Sequence, residues 1–186
     1  MKIRIKIKDA ILITISLILL WVSYFFIKDY EFHIENIGGH LSVTKTNLMT
    51  KKYEDIAVEA LYAKQYDKAL EYFNKELKTD PPHLEDVYHN IGMTYYYLHK
   101  YDNAIEYLNK SLELDDKLIS TYFYLGLSYD GIGRMSRAKE NYEKVITMDG
   151  RNKDPGMVKI AYEKLGWIEE FFGNHQKAQE YWEKAR

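Results

Sequence analysis

The side chains able to do chemistry in this chain are few and scattered. Cysteine is absent, which removes disulfides, thiolate nucleophiles and Cys-based zinc or iron–sulfur sites. The six histidines are His33, His40, His83, His89, His99 and His175. No two stand four apart and no HExxH occurs, so the spacing that puts two imidazoles on one helix face around a metal is missing. His33 and His40 read as part of a tether, and His99 and His175 as solvated turn residues. Adjacent acids occur at Glu54-Asp55, Glu85-Asp86 and Asp115-Asp116. The first two pairs fall where a first helical turn is expected and negative charge suits the dipole; the third reads as a solvated loop. Gly38-Gly39 is not followed by GKS or GKT, so a flexible tether explains it better than a phosphate loop. With no GxSxG elbow or dinucleotide fingerprint either, the residues support no catalytic group, metal or cofactor. An enzyme subunit ranks behind every binding role.

What remains is recognition, and charge narrows it. Lys and Arg number 26 against 28 Asp and Glu, too balanced for a nucleic-acid binder that must neutralise phosphates. The balance also hides an asymmetry. Residues 1–28 hold five basic residues and one acid, so the remainder has 21 basic against 27 acidic, a net −6. That is the wrong sign for anionic lipid or nucleic acid.

The elements that must present a recognition surface repeat along the chain. Gly92 and Gly126 lie 34 residues apart, as do Tyr88 and Tyr122, Tyr95 and Tyr129, and Ala104 and Ala138. Gly166 and Ala178 continue the series with a displacement of 40, which places a six-residue insertion before them. The small-residue pair keeps a spacing of 12 in Ala57–Ala69, Gly92–Ala104, Gly126–Ala138 and Gly166–Ala178. Apolar positions such as Tyr88, Ile91 and Tyr95, then Ala104, Leu108 and Leu112, follow helical periods in two consecutive stripes. A mid-helix glycine costs about 1 kcal/mol relative to alanine, so its recurrence points to two helices pressed together through Gly–Ala contacts.

A 34-residue period with these aromatic, Gly and Ala positions resembles the tetratricopeptide repeat family. The second unit reads Tyr88, Ile91-Gly92, Tyr95, Ala104, Leu108, Ser111, and the third Tyr122, Leu125-Gly126, Tyr129, Ala138, Tyr142, Val145. The fourth has Tyr162, Leu165-Gly166, Ala178, Trp182 and Ala185, with Glu169 where Tyr is expected. The first is the most divergent: Tyr53, Ile56-Ala57, Ala60, Ala69, Phe73 and a closing Pro81. The expected architecture is an all-α solenoid of four hairpins over residues 50–186, with repeats at about 50–83, 85–118, 119–152 and 159–186. Helices are expected at 51–64, 67–79, 85–98, 102–115, 119–132, 136–148, 157–172 and 176–185. Asp67, Asp102 and Ser136 can cap the second helix of their hairpins. Residues 149–156 read as an extended loop holding the insertion, either functional or neutral.

The resemblance implies a concave groove, lined by the first helix of each hairpin, that binds a protein or peptide. Carried onto this sequence, the lining is Glu54, Val58 and Leu61; His89, Met93 and Tyr96; Phe123, Leu127 and Asp130; Glu163, Trp167 and Glu170. Leu61 and Leu127 can equally pack between neighbouring repeats. Met and aromatic residues are what adaptable binding surfaces use. The chaperone-binding members of the family grip a C-terminal carboxylate with basic residues and Asn. Asn90 matches one such Asn, but Glu54 and Val58 replace the Lys and Asn of the first unit, and Ser120 and Tyr124 replace the basic pair of the third. A carboxylate would meet no compensating cation.

Ahead of the repeats, residues 10–27 read AILITISLILLWVSYFFI without a charge. As a helix this is roughly 27 Å long, just sufficient for a hydrocarbon core of about 30 Å. Basic residues 2, 4, 6 and 8 precede it and Trp21, Tyr24 and Phe25 sit near its end, so the expectation is a basic cytoplasmic N-terminus (1–9) and a retained single-pass anchor (10–28). A linker (29–49) and an extracytoplasmic solenoid follow. The apolar run exceeds a usual signal-peptide core and no small-x-small site follows it; a cleaved, secreted repeat protein with a structural or sensory role is the alternative, and a buried soluble helix a third. At the other end Arg186 directly follows Ala185. The outer face of the last helix, with Tyr181 and Trp182, then either docks on a partner or second copy, or tucks Trp182 against its own hairpin.

Overall fold

The computed structural model describes residues 30–37, 40–148 and 153–186. The proposed N-terminus (1–9) and anchor (10–28) lie outside the described residues. Among the described residues no helix is long and apolar enough to cross a membrane. The chain divides into two compact units, Met1–Lys52 and Tyr53–Arg186.

In the first unit the expected tether is instead a hairpin. Strands β1 (Tyr30–Ile37) and β2 (His40–Asn47) pair antiparallel, from Tyr30 opposite Asn47 to Ile37 opposite His40. The physical reason stands in the sequence: Tyr30, Phe32 and Ile34 alternate with Glu31, His33 and Glu35, a two-residue period that suits a strand.

The helices are α1 (Leu48–Tyr62), α2 (Tyr66–Leu77), α3 (Leu84–Tyr97), α4 (Tyr101–Leu114), α5 (Ile119–Gly131), α6 (Met135–Thr147), α7 (Pro155–Phe171) and α8 (His175–Lys184). Every helix expected over residues 50–186 is present, with ends displaced by three residues at most. Four α-hairpins therefore stack as an all-α solenoid. Each hairpin turns through three residues, and the same backbone device closes all four. Lys64, His99, Gly133 and Gly173 adopt φ of 58°, 57°, 73° and 81°. Each donates its N–H to the carbonyl three residues back, and the next residue donates to the carbonyl five back, as in Lys64 to Leu61 and Gln65 to Ala60. This is a Schellman arrangement, which satisfies the last carbonyls of the first helix. The second helices do not use the expected side-chain caps. Their N-cap residues are Gln65, Lys100, Arg134 and Asn174, none with a capping side-chain bond. Asp67, Asp102 and Ser136 lie one residue inside the helix instead, where the two acids still face the positive end of the dipole.

The insertion before the last hairpin is also shorter as a loop than expected. Asp154 accepts a hydrogen bond from Met157 N at 3.1 Å and Pro155 occupies the first helical position, a start signal that carries α7 back to residue 155. Residues 149–152 of that loop lie outside the described residues.

Among the described residues two clusters form the core. Ala57, Ala69, Phe73, Val87 and Ile91 join the first hairpin to α3. Leu108, Ile119, Leu125, Tyr142, Val145 and Leu165 run through the later ones. The glycines serve a different purpose from the expected Gly–Ala contact. A Cβ on Gly92 would lie 2.6 Å from Leu108 Cγ, one on Gly126 2.6 Å from the Tyr142 ring, and one on Gly166 would overlap the Trp182 indole. These partners lie four residues beyond Ala104, Ala138 and Ala178, so each glycine makes room for a large side chain. The alanines, Ala57 included, are fully buried. On the outer helices Lys75 and Lys110 each pair with the acid four residues back at 2.6 Å and sit 4.2 and 4.5 Å over Tyr72 and Tyr107.

Candidate functional site

The first helices of the hairpins converge on a cavity of about 620 Å³. From α1 come Glu54, Leu61 and Tyr62, and from the turn after it Lys64, followed by Tyr66. Helix α3 supplies Asp86, His89, Asn90, Met93 and Tyr97; α5 supplies Ser120 and Tyr124; α7 supplies Met157. Spacings of four, three and four in Asp86, Asn90, Met93 and Tyr97 set these residues on one helical face.

Tyrosines dominate one end. Tyr66 stacks on Tyr97 with centroids 5.6 Å apart and planes 8° from parallel. The Tyr97 and Tyr124 hydroxyls are 3.0 Å apart, and burial with that bond pushes the Tyr124 phenol up from its ordinary value. Tyr62 is 81% exposed, a large aromatic held open to solvent at the rim. The floor is polar but closed. His89 is buried, its Nδ1 2.9 Å from Thr121 Oγ1, with Tyr124 edge-on at 5.7 Å. Burial lowers it to about 4, so the imidazole is neutral near pH 7 and adds no positive charge.

Of the residues assigned to the groove, Glu54, Leu61, His89 and Met93 line this cavity, and the others stand elsewhere. Phe123 is buried in the core, its ring 6.5 Å from Tyr142, which removes it as a surface residue. Leu127, Tyr96 and Val58 are half-buried and packed against the core clusters. One residue along a helix is about 100° of rotation; Ser120 and Tyr124 face the cavity while Phe123 and Leu127 turn into the stack. Trp167 is 65% exposed and lines a separate cavity of about 220 Å³ with Asp130, Lys164 and Phe171. Lys164 there donates to Asp130 at 2.7 Å. Glu163 is exposed, and Glu170 contacts His175 Nδ1 at 2.9 Å. Of the two readings of the outer face of α8, the tucked one matches the structure: Tyr181 is buried, and Trp182 packs against Gly166 of its own hairpin with its ring 5.3 Å from Trp167. Sequence reasoning missed Tyr62, Tyr66 and Tyr97 as lining residues. The spacing from Asn90 to Tyr97, one face of α3, was the available signal.

Among the described residues, the grouping with three potential metal donors is His83, Glu85 and Asp86. His83 is exposed and its ring Nδ1 lies 3.6 Å from Glu85 Oε1, a surface contact at the start of α3.

Known proteins share this fold. Residues 83–150 match the tetratricopeptide repeat model. The chain is 31% identical over 109 residues to Heat shock protein STI1 of Saccharomyces cerevisiae, covering 58% of this chain and 18% of that protein; it spans less than a fifth of that relative's length. Among solved structures it is similar to MamA, at 25% identity with a TM-score of 0.64 over 73% of this chain and 75% of that one. It is also similar to YrrB, a tetratricopeptide protein described as having an unusual peptide-binding site, at 22% identity and a TM-score of 0.59 over 73% and 66% of the two chains. The helices thus form a solenoid of tetratricopeptide type, and α3 to α6 carry tetratricopeptide repeats.

Proposed function

We propose that this chain is a non-enzymatic scaffold that binds a segment of a partner protein in the groove between its first helices. The observation that carries the reading is the cavity itself, to which all four hairpins contribute a first-helix residue. Its lining of tyrosines, Met93 and Met157, with Asn90 and Ser120 among them, combines apolar area with hydrogen-bonding tips. A tetratricopeptide solenoid of the same fold carries a peptide-binding site in YrrB. In the same proposal residues 10–28 hold the solenoid at the outer surface of a cytoplasmic membrane, where tethering raises its effective concentration toward envelope or membrane-complex partners. The uncharged run of residues 10–27 supports that part.

The test is site-specific photocrosslinking in cells. A photoreactive residue at Met93 or Tyr97 should capture one protein species, and the same residue at exposed Glu113 on α4 should not. Equal capture from both positions removes the groove reading. Mass spectrometry of the native N-terminus tests the anchor, which requires residues 1–28 to be present.

A further inference from the structure

A second surface lies where the turn of the third hairpin meets the end of α7. A cavity of about 220 Å³ is walled by Met135, Trp167 and Phe171. Another of about 430 Å³ is walled by Arg134, Met135, Arg137, Phe171 and Phe172. The two share Met135 and Phe171, so they form one continuous cleft. Trp167 and Phe171 stand four residues apart, on one face of α7. Trp167 is 65% exposed, Phe171 72% and Phe172 46%. Three large aromatic side chains open to water in one place, rimmed by charge, mark an interaction surface. Among the described residues, the charged groups lining the cleft are Asp130, Arg134, Arg137 and Lys164. Lys164 donates to Asp130 at 2.7 Å and Arg137 to Glu140 at 3.2 Å. Arg134 is exposed beside Phe171 and Phe172. Glu170, next to Phe171 in the chain, lines neither cavity and contacts His175 at 2.9 Å.

We propose that this cleft is a second binding site, for a partner-protein segment carrying a large apolar side chain with Asp or Glu within four positions of it. The site stands or falls apart from the groove, because no residue lines both. The apolar side chain enters between Met135, Trp167 and Phe171, where a thioether and two rings adapt to its shape. The carboxylate meets Arg134, whose planar guanidinium can donate two parallel hydrogen bonds to it. Arg137, three residues along, is held by Glu140 only in a surface pair of the weak kind, which a second carboxylate can share. Charge complementarity therefore favours an acidic segment and disfavours a basic one. A bilayer calls for rings that protrude, whereas these rings wall a concavity, the shape that receives a side chain.

The experiment is parallel selection of a random dodecapeptide phage library on the immobilised full chain and on its Arg134→Glu/Phe171→Ser variant. Peptides enriched on the wild type alone should pair Leu, Met, Phe or Trp with Asp or Glu at the stated spacing. In fluorescence polarisation the strongest of them should bind about tenfold more weakly to Arg134→Glu and to Phe171→Ser. Its affinity for Met93→Ala, altered in the groove, should stay within about twofold of the wild type. Both cleft substitutions change exposed residues, so melting curves should match the wild type. Independently of any variant, binding to the wild type should fall about fivefold between 50 and 500 mM salt. The chain has no cysteine, so one environment-sensitive dye on Ser136→Cys, at the cleft wall, reports occupancy directly. Peptides that lose binding in Met93→Ala but not in Arg134→Glu overturn the second site and leave the groove standing. Basic peptides, no enrichment, or a dye that answers phosphatidylserine vesicles but no peptide overturn the second site as well.

Discussion

The first and last hairpins each bury one carboxyl group, and treat it oppositely. Glu76 in α2 is 3% exposed, and its Oε2 has no hydrogen-bond partner among the described residues. Burial, with the charge of Glu54 nearby, raises it to about 8, so it is held as the neutral acid near pH 7. Glu169 in α7 is fully buried, yet Lys139 reaches its Oε1 at 2.8 Å, Lys177 at 3.1 Å, and Asn174 donates to Oε2 at 2.7 Å. Burial alone would raise it as well, but those three donors outweigh that and bring it to about 2. Burial sets the cost of ionisation, and partners decide whether the group ionises at all. Glu169 occupies the position filled by Tyr95 and Tyr129 in the preceding units; there Tyr95 stacks on Tyr107 at 5.5 Å, so the last hairpin replaces an aromatic contact with an ionic one.

The contrast can be tested from both ends. The largest expected effect is steric. Gly166→Val should cost about 3 kcal/mol, because Trp182 fills the space a side chain would need. The equivalent Ala57→Gly in the first hairpin should cost only about 1 kcal/mol. Paired thermal melts read the difference, and equal losses would remove the account of glycine as a seat for Trp182. Next comes Glu169→Gln, with a loss of about 2 kcal/mol from charge-assisted bonds at pH 7. Since Glu169 is lowered in the fold, its contribution is present above the ordinary carboxylate value of 4.5 and disappears as pH falls to about 2. Denaturant titrations between pH 6 and pH 2 should show a fall in the native protein that is shallower in Glu169→Gln.

Glu76→Gln should have the opposite sign, a gain of about 1 kcal/mol at pH 7. A raised carboxyl destabilises the fold increasingly from pH 4.5, where the unfolded chain ionises, up to about 8. The gain should therefore vanish at pH 4; a gain that persists there would mean the benefit is not ionisation. The smallest effects concern the turns. Lys64→Gly relieves a left-handed non-glycine residue in the first hairpin, and Gly173→Ala imposes one on the last. Expected changes are a gain of about 0.5 and a loss of about 1 kcal/mol, resolvable as opposite shifts of the urea midpoint.

Much of the fold was legible because it is periodic. Helical stripes and a fixed spacing of twelve located every helix of the solenoid, and the recurring Gly–Ala pairs marked their buried faces. The partner of each glycine was not legible, since Leu108, Tyr142 and Trp182 differ in type although they share a position. The β-hairpin escaped because Gly38-Gly39 drew attention to the linker's flexibility and away from the alternation on both sides of it. Most of the groove lining escaped, in part for an angular reason. Choosing Phe123 over Tyr124 is an error of one residue, yet it exchanges a surface position for a core one. The buried state of Glu76 had no sequence signal, because an acid on a second helix reads as solvent-facing until its neighbours are placed.

The four left-handed turn residues occupy equivalent places in successive hairpins. Excising the 34 residues from Lys100 to Gly133 would join His99 to Arg134 and rebuild a turn of the same geometry. Hairpin number can then change by whole 34-residue units without altering the turn that joins the helices.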